Sequence, residues 1–140
     1  MNHRERLLAA INHRTPDRVP VDLGSTAVTS LHIDAHRKLK AHFGIDDPEE
    51  IIINRMMQTV LPHEEILKRF DVDVRGVFMG KLDSRPEVER SLNGSTIYTD
   101  EWGVTRIKPP TSHYYDLYDC PFDREDLTVS DVENYDWPDP

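Results

Sequence analysis

The chain has 140 residues, 37% of them hydrophobic and 31% charged, and a formal net charge of −9. That acidity argues against nucleic-acid binding, which needs clustered Lys and Arg, and no apolar run approaches the roughly 20 residues of a membrane span. One cysteine, Cys120, rules out an internal disulfide framework and fits a reducing cytoplasm, and no long apolar segment follows the N-terminal charges as a secretory signal requires.

Asn2 is placed to cap a first helix, with Glu5 completing a capping box. Leu7, Leu8 and Ile11 then recur at helical spacing as one apolar stripe. Pro16 and Pro20 forbid continuing that helix, so Thr15-Pro16-Asp17 reads as a turn into a short strand, Val19 to Leu23. Gly24 ends the strand, and a small polar loop follows. Thr29 or Ser30 is positioned to cap a second helix that ends at Gly44. Its apolar side carries Leu31, Ala35 and Leu39, with Arg37, Lys38 and Lys40 opposite.

Pro48 opens a short helical segment through Ile51 to Met57, with a strand as the alternative because Ile51-Ile52-Ile53 is β-branched. Pro62 at the first helical position, Glu64 and Glu65 in the first turn, and Lys68 and Arg69 in the last define a further short helix. A second strand, Val72 to Phe78, follows. Two strands separated by helices read as β/α units with right-handed crossovers. The character changes at Gly80. Ser95 to Thr99 and Val104 to Lys108 flank Asp100-Glu101-Trp102-Gly103 as a β-hairpin. His113 to Phe122 reads as irregular, Val129 to Tyr135 as one or two helical turns, and Asp136 to Pro140 as an extended stop.

Several residues carry potential chemistry. Asp22 ends the first strand, where a carboxylate either points into a substrate cavity or caps the Ser25 to Thr29 loop. Arg75 interrupts an apolar strand, so it needs a structural acid such as Asp22 or Asp73, or else an anionic ligand held bidentately. His32 and His36 have the spacing at which two imidazoles share a metal, but no third ligand lies nearby, and two surface histidines are the simpler account. Asp116 to Asp139 holds nine carboxylates and one cation, Arg124. That tail is either a solvated surface or a docking face for a basic partner.

The segments RERLLAAINH, PDRVPVD, FDVDVRGV, EWGV and ENYDWPDP, in this order, resemble the N-terminal part of the uroporphyrinogen decarboxylase superfamily. The resemblance implies an α/β fold, the N-terminal portion of a TIM (β/α)8 barrel with a β-hairpin insertion. A full barrel takes about 250 residues, so 1–140 reads as a single partial domain, with the leading helix and two β/α units in 1–80 and the hairpin insertion and acidic tail in 81–140. The missing C-terminal part of the barrel would then be supplied in cis or in trans.

The superfamily's true decarboxylases act on a carboxylate-rich tetrapyrrole and carry RQAGRY after the first barrel strand and an Asp in FSDIL after the next. Here those positions read Gly24-Ser25-Thr26-Ala27-Val28-Thr29, without Arg, and Val74-Arg75-Gly76-Val77, without Asp. The related cobalamin-dependent methyltransferases lack the Arg signature. They use a corrinoid protein as partner, and a zinc ion held in their C-terminal half. The resemblance therefore implies corrinoid-dependent methyl transfer or demethylation, with tetrapyrrole decarboxylation in porphyrin biosynthesis as the alternative. A non-catalytic split or truncated subunit is the further alternative. Asp22, Ser25, His32 and Arg75 are the substrate-binding candidates, catalytic residues stay unassigned, and no metal ligand falls in this segment.

Overall fold

A computed structural model describes residues 1–79 and 88–138. The chain divides into two compact units, 1–78 and 79–140.

The first unit opens with helix α1 (His3–Ile11), started by the Asn2/Glu5 capping box that the sequence announces. Its inward face is not the Leu7, Leu8, Ile11 stripe. Arg6 and Ala9 are buried, while Ile11 is 62% exposed. Strand β1 (Leu31–His32) leads into α2 (Ile33–Phe43), capped by His32 rather than Thr29 or Ser30 and closed by Gly44 in the left-handed conformation. The residues α2 buries are His36 and Lys40. Strand β2 (Ile52–Asn54) takes the strand alternative for the isoleucine run, and β3 (Thr59–Val60) follows it. They join β1 in an antiparallel sheet of order β1-β3-β2.

Helix α3 (Glu64–Arg69) has the acidic first turn and basic last turn read from the sequence, but His63, not Pro62, starts it. Ile66 and Leu67 anchor it, at 0% and 3% exposure, and burying each contributes about 1.5–3 kcal/mol. Val60, Val72, Ala9 and Pro62 are also buried in this unit.

The expected parallel β/α barrel segment does not form. Every strand pairing among the described residues is antiparallel, and neither Val19–Leu23 nor Val72–Phe78 enters a ladder. The two segments share one backbone hydrogen bond, from Asp73 N–H to the Val21 carbonyl at 2.9 Å. The reason lies in where their backbone groups go. Pro20 has no N–H to donate. The Val21 N–H donates to the Asp73 carboxylate. Arg18 donates to the Val19 and Asp71 carbonyls, and Arg75 to those of Val72 and Val74. Side chains thus occupy several of the groups a ladder would use.

What holds these segments together is the Asp73 carboxylate, fully buried as a side chain. It accepts from Arg6, Arg18 and His3 as well as from Val21. Arg6 also holds Asp17 through two donors, and Arg18 holds Asp71. The leading helix, the Pro-Asp turn and the FDVD segment are thus one charge network.

The second unit is an antiparallel meander, β4 (Val88–Leu92), β5 (Ser95–Thr99), β6 (Thr105–Lys108) and β7 (Asp116–Asp119), paired in chain order. Asn93 and Gly94 both have positive φ, as a two-residue type I′ turn requires. The Asp100–Gly103 hairpin lies where the sequence puts it, and the Asp100 carboxylate accepts the Trp102 and Val104 N–H groups. Strand β7 occupies the stretch expected to be irregular; its four residues are all exposed, so no apolar alternation announces it. Ile97, Tyr98 and Tyr115 form the core, the two tyrosines meeting edge to face at 4.8 Å. Helix α4 (Val129–Glu133) is one short helix opened by a Thr128/Asp131 capping box. The boundary at Gly80 and the final Asp139-Pro140 lie outside the described residues. No helix among the described residues is long and apolar enough to cross a membrane.

Candidate functional site

The first unit contains a cavity of about 340 Å³. Leu23, Ile51, Leu61, Pro62 and Leu67 give it an apolar wall, and His36, Asp47, Glu49, His63, Glu64 and Arg75 supply the polar groups. Gly24, with φ +88°, lets its loop lie against Pro62; a Cβ there would come within 2.6 Å of the proline ring.

Behind the wall is a closed hydrogen-bond network. His36, 2% exposed, places Nδ1 2.5 Å from Glu50 and accepts the His63 backbone N–H at Nε2, 2.9 Å. Because a backbone N–H only donates, Nε2 carries the lone pair and Nδ1 the proton that Glu50 accepts. Lys40 donates to Glu50 at 2.9 Å and to the Asp47 and Glu49 carbonyls at 2.7 and 2.8 Å, which uses all three ammonium hydrogens. Burial pushes the Glu50 carboxyl up, but its bonds to Lys40 and His36 outweigh that and hold it below the ordinary range. The network fixes the Asp46-Asp47-Pro48 turn against α2 and so shapes the cavity wall.

His63 caps α3 by accepting the Glu65 N–H at Nδ1, leaving Nε2 3.5 Å from Asp47. Each imidazole of the wall therefore has its lone pair in use. Arg75 makes a bidentate pair with Glu64, both bonds 2.9 Å. That pair raises the guanidinium and lowers the carboxyl. With side chains 43% and 52% exposed, it contributes at most about 1 kcal/mol.

Of the four candidates from sequence, Arg75 lies on this wall and its partner is Glu64, not Asp22 or Asp73. Asp22 and Ser25 are bonded to each other, the carboxylate accepting from the serine hydroxyl at 2.5 Å and from its N–H at 3.0 Å. Burial raises Asp22, and the serine hydroxyl and amide with the Thr29 hydroxyl together bring it below its usual value. That is the loop-capping account of Asp22. His32 caps α2 through Nδ1, and His36 faces Glu50, so the two histidines serve different partners. His63 on the wall, and Lys40 and Glu50 in the network behind it, are residues that sequence reasoning missed. The signal was present: the acid run Asp46-Asp47-Pro48-Glu49-Glu50 follows directly on a helix carrying His36 and Lys40 four apart.

Chemically, the cavity offers an apolar surface and an acceptor-rich rim. Asp47, Glu49 and Glu64 line it, and Arg75 is the single Lys or Arg among the lining residues. No family model matches this chain, and no curated protein or solved structure matches it.

Proposed function

We propose that the chain belongs to the uroporphyrinogen decarboxylase superfamily and serves corrinoid-dependent methyl transfer or demethylation. On this reading the cavity takes a small methylated substrate or a thiol, and a corrinoid protein is the partner that carries the methyl group. The observation that carries this choice is the charge of the cavity wall. Three carboxylates face one guanidinium that Glu64 already occupies. A polycarboxylated tetrapyrrole needs several uncommitted cations, and like charges in a confined site repel. A volume of about 340 Å³ is also at the small end of ligand pockets, which run from about 300 to 1,000 Å³.

The reading rests on the resemblance of the five segments, three of which meet in the Asp73 network. Two of the five segments that carry it, RERLLAAINH and PDRVPVD, meet the third, FDVDVRGV, through Arg6, Asp17 and Arg18. Residues of the motif are thus the residues that bind the unit together.

The zinc used by such methyltransferases does not fit the wall described here, because the lone pairs of His36 and His63 are engaged. On this reading the metal belongs to residues contributed from outside this segment. The chain then works as a subunit or section of a larger enzyme in the cytoplasm. Val19, Val28 and Val77, exposed by 81%, 75% and 98%, are apolar positions that further protein would cover.

Calorimetric titration tests the substrate class. Small methylated amines, methyl ethers and thiols are run beside uroporphyrin. Saturable heat with a small methylated compound or thiol, and none with uroporphyrin, supports the reading. Saturable uroporphyrin binding contradicts it.

A further inference from the structure

The second unit carries an aromatic surface that the cavity chemistry does not use. Trp102, from the hairpin turn, and Trp137, beyond α4, meet edge to face at 6.2 Å. Phe122 and Tyr135 pack against Trp137 at 5.5 and 4.9 Å, and the Tyr135 hydroxyl donates to the Trp102 carbonyl. Despite this mutual packing, Trp102 and Trp137 remain 48% and 44% exposed. Beside them opens a hollow of about 410 Å³ in which Phe122 and Tyr135 stand with Asp131 and Asp136.

Aromatic faces with carboxylates at their margin attract a specific kind of group. A guanidinium stacks on indole and phenol faces and donates bidentately to carboxylates, which an ammonium does not match. The hollow already holds one. Arg124 lines it and pairs with Asp131 at 2.6 Å. In sequence, Asp116 to Asp139 carries eight further carboxylates beyond Asp131 and no second Lys or Arg. The charge complementarity is therefore to a basic partner, and the exposed indoles favour arginine over lysine.

We propose that this surface docks an arginine-rich segment of a partner protein, whose guanidinium groups stack on Trp102 and Trp137 and pair with Asp131 and Asp136. Arg124 occupies in the free chain the position that an incoming arginine takes.

Trp102 and Trp137 are the only tryptophans of the chain, so its indole fluorescence reports this surface alone. The full chain is titrated with an oligoarginine peptide and with an oligolysine peptide of equal length. Oligoarginine should give a saturable emission change, with affinity about threefold or more above oligolysine. Trp137→Ala, followed through Trp102, should weaken it about tenfold, the loss typical of an interface anchor. Arg124→Gln, which leaves the aromatic packing intact, should tighten it about threefold by releasing Asp131. The proposal is overturned if oligoarginine gives no saturable change. It is equally overturned if the two peptides bind alike and neither Trp137→Ala nor Arg124→Gln alters the affinity, since that is unspecific attraction to an acidic surface.

Discussion

Arg6 Nη1 donates to Asp73 Oδ1 at 2.5 Å across 67 residues of sequence, from the first helix to a segment that makes no sheet ladder. The contact replaces the strand pairing that the Val72–Phe78 pattern suggests. Removing the buried acceptor takes one carboxylate partner from each of two guanidinium groups and leaves the Val21 amide without its acceptor. Asp73→Ala should therefore lower the melting midpoint by at least about 5 °C. Differential scanning calorimetry checks this, with Glu5→Gln on the exposed capping box as a variant expected to change far less.

Acid should unfold the chain through the same groups. Arg6, then the N-terminal ammonium, hold Asp17 well below its ordinary value. Burial works against Asp73, and the Val21 amide, His3, Arg6 and Arg18 overcome it. Glu50 and Glu64 are depressed too. A carboxyl lowered in the folded state adds stability that is complete above its unfolded value, about 3.9–4.3, and is lost as the pH drops toward the folded one. Urea midpoints should be level down to about pH 5 and fall steadily below about pH 4. Asp73→Ala should flatten that fall, because one of the protons taken up on unfolding is gone.

The helices show how far the sequence reaches. The ends were legible, because caps are local: Asn2 with Glu5, Gly44, and the charged turns of α3 each act within a few residues. The faces were not. Apolar periodicity pointed to Leu7, Leu8 and Ile11 in α1 and to Ala35 and Leu39 in α2, yet the buried residues are Arg6 with Ala9, and His36 with Lys40. Each buried cation is drawn inward by a carboxylate outside its own helix, Asp73 for Arg6 and Glu50 for Lys40, and helical spacing registers no partner beyond the helix. The sequence shows that Arg75 needs an acid, but Glu64 reads there only as a first-turn residue that the helix dipole favours. The barrel expectation failed on the same kind of interaction, since side chains took several backbone groups of the two supposed strands.

Thr59 illustrates a cost the fold carries. Its hydroxyl is buried with no hydrogen-bond partner among the described residues, and an orphaned buried hydroxyl costs about 1–3 kcal/mol. Valine has nearly the same shape and the same preference for a strand. Thr59→Val should raise stability by about 1 kcal/mol, read from urea unfolding. A loss of stability would show that the hydroxyl is satisfied in solution.

Gly103 closes the hairpin under the aromatic surface with φ +78°, and an added Cβ would lie 2.3 Å from the Tyr135 hydroxyl. Gly103→Ala should cost about 1 kcal/mol or more for the backbone conformation alone. It should also displace Tyr135 from the Trp102 carbonyl. Near-ultraviolet circular dichroism, sensitive to Trp102, Trp137 and Tyr135, should lose intensity while the far-ultraviolet spectrum is kept.

The substrate class is decided most directly by mapping amide shifts of isotope-labelled chain in solution. Small methylated compounds and thiols, and separately uroporphyrin, are titrated while the amides of Gly24, His63 and Gly76 at the cavity are followed. The account predicts saturable shifts at these amides with at least one small methylated ligand or thiol and none with uroporphyrin. Saturable shifts at Gly76 and Arg75 with uroporphyrin would contradict it, because the wall would then be accepting the carboxylate-rich ligand that its charges should repel.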